Sequence, residues 1–303
     1  MKIFITGGTG FVGTSLTKEL TAQGHGVTLL TRAIKPGRAL PSGAAFLEGN
    51  PLQPGPWQRA VPDHDVCINL AGASIFSRWT DAAKKEIRES RLLTTRNLVS
   101  ALAERKGLET LLLSTSAVGY YGFHEDEELS EESPPGTDFL AQVCRDWEAE
   151  AQQAEQYGVR VIRCRFGIVL GERGGALDQM LPLFKKGLGS PLGSGRQWFS
   201  WIHQRDLSRI FLFLLDRKEV SGPLNCTAPH PVTNKELTRL LAEAVGRPAF
   251  LPAVPGFMLK LVLGEFGNVL LTGQRVLPRK LLTLGYEFLY PELKKALQNL
   301  FRK

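Results

Sequence analysis

The stretch from Lys2 to Gly13, KIFITGGTGFVG, constrains this chain more than any other. A short β-rich run, Lys2 to Thr6, breaks into Gly7, Gly10 and Gly13. From Thr9 to Gln23 apolar residues then recur at helical spacing (Phe11, Val12, Leu16, Leu20) until Gly24 stops the pattern. Glycine alone says only that the backbone turns sharply or lacks room for a Cβ. A glycine turn that follows a strand directly and opens a helix says more. It aims backbone N–H groups and the positive helix end at whatever lies before them, which suits a pyrophosphate. On this reading Gly7 makes the turn, Gly10 leaves room for phosphates, and Gly13 lets helix and sheet pack closely. Thr9, Phe11 and Val12 share the turn and join the candidate contacts.

Further strand-like runs follow at Gly26 to Thr31, 44 to 49, 65 to 72, 109 to 116, and from Val159 onward (VRVIRCRFGIVLG). Helical patterns separate the later ones, a long polar one through Leu102 and another over Phe139 to Gln156. Strands alternating with helices predict βαβ units and a Rossmann-like, doubly wound parallel α/β sheet. Beyond Gly171 the rhythm breaks. Gly187 to Trp201 reads as a glycine-rich loop or hairpin, Asp206 to Leu215 and Asn234 to Val245 as helices, and Pro223 to Thr227 as a strand. An apolar helix follows the Pro-rich stretch RPAFLPAVPGF. The expected organisation is a dinucleotide-binding domain over 1–170, with segments about 200–228 returning to it, and a smaller C-terminal substrate domain over 171–303.

The end of the second strand bears on the cofactor. A site for NAD normally has an Asp or Glu there for the ribose hydroxyl, whereas an Arg accommodates the extra phosphate of NADP. Here Thr31 and Arg32 hold that place, Lys35 and Arg38 follow, and no carboxylate occurs before Glu48. A guanidinium binds phosphate bidentately, so the expectation is NADP(H) with Arg32 on the phosphate.

Composition narrows the partners. The 303 residues carry a formal net charge of +7, but the basic residues stand singly or in pairs with no aromatic residues between them, so no nucleic-acid surface is expected. Cys67, Cys144, Cys164 and Cys226 are far apart and no His lies at ligand spacing, so neither a metal site nor a disulfide framework is expected. Reduced thiols, no leader pattern and no bilayer-length apolar run predict a cytoplasmic protein with no membrane partner.

Taken in order, TGGTGFVG, NLAG (Asn69 to Gly72), STSAVGYYG (Ser114 to Gly122) and WIHQRDL (Trp201 to Leu207) make the chain resemble the extended and atypical short-chain dehydrogenase/reductases. More narrowly, EESPPGTDFLAQVCRDWEAEA, RFGIVLGERGGAL and TGQRVLPRKLLTLGYEF resemble the epimerase-family proteins once labelled cell-division-inhibitor-like. The resemblance implies an NADP-binding Rossmann domain with a small C-terminal domain over the site. It places Leu70, Ala71, Gly72, Ser114 and Val169 beside the cofactor and adds Glu86 and Arg91, which otherwise read as a solvated helix face. Arg165 would face the substrate crevice or brace it.

Active members of that superfamily pair a tyrosine acid/base with a lysine four residues later and orient the substrate with a Ser or Thr. Ser116 matches the hydroxyl, but where Tyr-x-x-x-Lys should open the next helix the chain has Asp138-Phe139-Leu140-Ala141-Gln142-Val143-Cys144. Tyr290 and Lys294 have the right spacing in the wrong place. Tyr120 and Tyr121 are the substitute proton donors, or else packed aromatics. Asp206 is expected to cap the helix after it, His203 to be structural, and the acidic run Glu125 to Glu132 to be a solvated loop. Trp198, Phe199 and Trp201 would wall a pocket or close the small domain onto the sheet. Two readings remain: an NADP(H)-dependent oxidoreductase or epimerase acting on a small carbonyl or secondary alcohol, and a non-catalytic NADP-binding regulator.

Overall fold

The computed structural model describes residues 1–34, 37, 39–172 and 174–301. Lys35 and Arg38, expected behind Arg32, lie outside the described residues. The first half alternates strands and helices: β1 (Lys2–Thr6), α1 (Phe11–Ala22), β2 (Gly26–Thr31), β3 (Ala44–Glu48), β4 (Val66–Asn69), α2 (Asp81–Leu102), β5 (Leu111–Ala117), β6 (Glu128–Leu129) and α3 (Phe139–Gln152). Next come β7 (Arg160–Phe166), β8 (Ile168–Leu170), α4 (Gly175–Lys185), β9 (Trp198–Phe199), β10 (Trp201–His203), α5 (Gln204–Leu215) and β11 (Gly222–Cys226). The chain finishes with β12 (Val232–Thr233), α6 (Asn234–Ala244), α7 (Gly256–Leu263), α8 (Phe266–Leu271), β13 (Arg275–Val276), α9 (Arg279–Thr283) and α10 (Leu293–Phe301).

Seven strands form one sheet in the order β11-β7-β5-β4-β1-β2-β3, and every pairing is parallel. This is the predicted doubly wound α/β sheet. Its strands are buried on both faces: Ile3, Ile5, Ile68 and Leu113 pack with α1 and α5 on one side, and Phe4, Cys67, Leu112 and Val161 pack with α2 on the other. Continuous apolar strands rather than alternating ones are what such two-sided cover requires. The order reverses between β1 and β4, so their following loops diverge and open a crevice at the carboxyl edge.

Several elements differ from the sequence reading. VRVIRCRFGIVLG is two strands, because at Gly167 the chain steps out of the main sheet and β8 pairs with β10 instead. A Cβ at Gly167 would lie 2.9 Å from the carbonyl oxygen of Ser200, so the step needs glycine. The glycine-rich segment before Trp201 is no hairpin: β9 pairs with β12 and β10 with β8. Helix α4 has no sequence signature of a helix, because Gly174 is its N-cap, Gly175 opens it and Pro182 lies inside it. The acidic run is not wholly solvated either, since Glu128 and Leu129 pair with β13 and Glu131 is buried. Among the described residues no helix is long and apolar enough to cross a membrane, and no group of His, Cys, Asp and Glu is arranged to hold a metal.

Candidate functional site

The crevice begins at the turn between β1 and α1. Gly7 has φ +71°, and a Cβ there would lie 2.7 Å from backbone atoms of Leu70 and Ala71, so only glycine lets the turn lie against the end of β4. A Cβ on Gly13 would lie 2.5 Å from the carbonyl oxygen of Gly7 and the Cα of Gly8, so the helix's first turn packs directly on the loop before it. Gly10 is different: it is exposed, and a Cβ there would meet only the Gly7 oxygen at 3.2 Å. Its outer side is open.

Gly10 is also the N-cap of α1; it has no side chain with which to cap the helix, and no acidic residue stands in the first turn. A helix start normally draws a Ser, Thr, Asp or Asn to its orphan N–H groups. Here those groups and the positive end of the dipole are left for an anion, and the residues present fit the diphosphate of a dinucleotide. Phe11 and Val12 supply the first helical N–H groups. The Phe11 carbonyl accepts a hydrogen bond from Gln204 Nε2 at 2.8 Å, tying the helix start to α5. Thr9 lies in the loop between.

Thr31 and Arg32 close β2 at the same edge. Thr31 Oγ1 donates to the Ala33 carbonyl, and Arg32 is exposed with no ion pair among the described residues. Across the crevice, Leu70 and Ala71 face Gly7, and Gly72 lies over Arg91, whose Cζ would be 3.2 Å from a Cβ at that glycine. Arg91 donates to the Ile87 carbonyl, lies over the Trp147 ring, and is lowered in pKa by burial. Glu86 is exposed on α2, one turn before Ser90, whose hydroxyl accepts from the Ala73 N–H. Ser114 is buried in β5 next to Asn69, and Val169 is half-buried in β8.

The expected catalytic residues have a different environment from the one sequence suggests. Ser116 is buried and donates to Glu148 Oε1 at 2.7 Å. Tyr121 is fully buried; its hydroxyl donates to Asn225 Oδ1 at 2.6 Å and accepts from Arg165 at 2.9 Å, and burial pushes its pKa up to about 12. The phenol is thus enclosed by protein, with its hydroxyl both donating to and accepting from neighbouring side chains. Arg165 is 2% exposed and enclosed by protein groups. It grips Glu148 with two bonds of 2.8 and 2.9 Å, donates to Tyr121 and to the Glu131 carbonyl, and lies 3.5 Å below the Tyr120 ring. Burial opposes its charge, but Glu148 outweighs that and raises its pKa further.

Tyr120 therefore differs from its neighbour. It is half-buried, its ring rests on the Arg165 guanidinium, and its hydroxyl is without an intramolecular partner among the described residues. Where a tyrosine and lysine would stand, α3 carries Leu140, packed toward Gly119, and Cys144, a buried thiol whose pKa burial pushes up to about 12.

Sequence reasoning missed Glu148, Asn225 and Glu131. A signal for Glu148 existed: it sits on the buried α3 stripe Ala141, Cys144, Glu148, Ala151, where a carboxylate demands a cation. Asp206 does not cap α5. His203 does, accepting the Arg205 N–H at Nδ1, while the buried Asp206 carboxylate accepts the N–H groups of Leu289 and Tyr290. Tyr290 stacks on His203 and Lys294 pairs with Glu243, so that Tyr-x-x-x-Lys joins the C-terminal packing. Trp201 is buried, whereas Trp198 lies over Arg275 and donates to Asp126.

A parallel doubly wound sheet with an uncapped, glycine-turned helix start beside its switch point defines a Rossmann-type dinucleotide-binding protein. Residues 3–226 match the NAD dependent epimerase/dehydratase family, and residues 254–300 match a domain of unknown function (DUF1731). The chain belongs to the NAD dependent epimerase/dehydratase family. It is 40% identical over 301 residues to the epimerase family protein YfhF of Bacillus subtilis, spanning 99% of this chain and 98% of that protein. It is likewise 40% identical to the mouse epimerase family protein SDR39U1, with 99% of each covered. The crystal structure of human SDR39U1 with NADPH superposes with a TM-score of 0.85 at 36% identity, covering 99% of both chains. Thermus thermophilus UDP-glucose 4-epimerase, in complex with NAD, shares the fold at a TM-score of 0.78 and 20% identity, with 99% of this chain and 97% of that one covered.

Proposed function

We propose that the chain binds NADP(H) at the β1–α1 turn and uses it as an oxidoreductase or epimerase on a small carbonyl or secondary-alcohol substrate. The observation that carries the reading is the pairing of an uncapped α1 with an exposed Arg32, just beyond β2, that has no ion pair among the described residues. The diphosphate takes the N–H groups of the first turn; Arg32 takes the ribose phosphate. The similarity to SDR39U1, whose human form was crystallised with NADPH, supports the same cofactor. When bound, the cofactor supplies hydride chemistry.

The chain's own residues have three tasks in this reading. The turn orients the dinucleotide, Glu148 and Arg165 hold the loop from Val118 to Tyr121, and Tyr120 gives or takes the proton at the substrate oxygen. Ser116 works through Glu148 as part of that support. The partner is a small molecule, and the compartment is the cytoplasm, consistent with four buried, free cysteines. A panel of carbonyl compounds with NADPH tests this, read by nicotinamide absorbance. Tyr120→Phe should lower turnover about 100-fold or more while leaving cofactor affinity unchanged. Arg32→Glu should weaken NADPH far more than NADH.

A second reading, a non-catalytic NADP-binding regulator, is favoured by Leu140 and Cys144 in place of the acid/base pair. It predicts tight cofactor retention with no turnover on any panel member and no effect of Tyr120→Phe.

A further inference from the structure

On the reading that a carbonyl compound enters the crevice, we propose that this compound is uncharged, with a bulky apolar body, and not a nucleotide sugar. The carboxyl edge carries a small apolar cluster separate from the two cores of the sheet, in which Trp79 and Phe266 are buried while Ile75, Phe139, Leu140 and Leu270 are half-exposed. The loop after β4 and the first turn of α3 meet α7 and α8 of the C-terminal segment there, with Ile87 of α2 buried beneath them. The rings meet edge-on or tilted, Trp79 on Phe139 at 5.2 Å and Trp79 on Phe266 at 5.7 Å. Phe76, 42% exposed, meets Phe266 edge-on at 6.1 Å at the rim.

Leu140 joins this cluster to the chemistry. Its Cβ would lie 3.6 Å from a Cβ on Gly119, the residue before Tyr120, so the apolar wall borders the loop that carries the free phenol. A substrate whose oxygen reaches Tyr120 lays its body against the half-exposed Leu140 and Phe139 and the exposed Phe76, with Phe266 packed behind them. Such contacts reward buried apolar surface and penalise an unpaired charge.

A nucleoside diphosphate needs a set of free cations, and among the described residues several of those nearby are already engaged. Lys84 pairs with Glu265, Arg165 with Glu148, and Arg275 with Glu128 while stacking on Trp198. Arg78, exposed beside Gly264, is the cation best placed to hold a diphosphate if one bound.

Calorimetry on the full chain saturated with NADPH tests the proposal, with acetophenone and UDP-glucose as probes. Acetophenone should give saturable heat and UDP-glucose none. Leu140→Lys should weaken acetophenone about tenfold or more, while nicotinamide fluorescence shows NADPH binding retained; Phe266→Ser should act in the same direction. Arg78→Ala should leave acetophenone binding unchanged. Saturable UDP-glucose heat that Arg78→Ala abolishes would overturn the proposal, as would no acetophenone heat or an unchanged affinity in a folded Leu140→Lys. Loss of NADPH binding by the unaltered chain would instead strike the cofactor reading, and the same titrations without NADPH would then decide the substrate class.

Discussion

Replacing Glu148 by Gln removes one charge from a pair enclosed by protein. Glu148 is 4% exposed and Arg165 2%, so neither has water to fall back on. The carboxylate accepts two bonds from Arg165 and one from Ser116. An amide keeps one acceptor, but its NH₂ then faces an Arg165 N–H across 2.8 or 2.9 Å, donor against donor. The guanidinium stays charged, with one amide oxygen, Tyr121, the Glu131 carbonyl and the Tyr120 ring as its remaining partners. Breaking such a pair on one side costs about 3–5 kcal/mol. With a urea slope of about 3 kcal/mol/M, the midpoint falls by about 1–1.7 M with little change in slope. Glu148→Leu combined with Arg165→Met should lose less than Glu148→Gln alone, because neither member of the pair leaves a buried charge behind; Arg163, 3.7 Å from Glu148, is partly exposed and keeps access to water. A midpoint within about 0.2 M of the unaltered chain, or additive losses in the double variant, would refute the argument that the pair braces this loop.

Gly13→Ala forces a methyl to within 2.5 Å of the Gly7 oxygen and should cost about 1–3 kcal/mol, with weaker NADPH binding, read by melting with and without the cofactor. Asp206→Ala strands the N–H groups of Leu289 and Tyr290, costing about 1–3 kcal/mol and exposing the C-terminal helix to limited proteolysis. His203 is held neutral, its pKa lowered to about 4 mainly by burial. Between that value and the ordinary 6.5 the unfolded chain binds the extra proton, so this group's contribution is full above 6.5 and is lost as pH falls toward about 4. The gap corresponds to about 3 kcal/mol. His203→Asn keeps an N-cap acceptor, so the difference in its urea midpoints between pH 7 and pH 4.5 should be smaller than in the unaltered chain; an unchanged difference would exclude His203 as the cause.

The sheet was legible because each of its strands is a short apolar run bounded by turn residues, and the glycine turn reveals where the crevice opens. What stayed hidden depends on contacts far apart in sequence. Ser116 and Tyr121 have suitable chemistry for a catalytic site, but the groups that occupy them, Glu148 and Asn225, lie 32 and 104 residues away. Asp206 has the residue type of a helix cap and stands three positions too late; contacts 83 and 84 residues away fix its role. At Gly167 continuous hydrophobicity conceals a change of sheet, because strand patterns report burial and not partner. Glu131 reads as solvated among acidic neighbours, yet accepts the N–H groups of Asn225 and Lys280, and burial raises its pKa.

The central claim is that the uncapped start of α1 and Arg32 together hold a phosphorylated dinucleotide. Isothermal titration of the purified full-length chain with NADPH and with NADH measures it directly. The account predicts saturable heat with NADPH and an affinity at least about tenfold above that for NADH, a difference of about 1.4 kcal/mol. No heat with either coenzyme, or tighter binding of NADH, would contradict it.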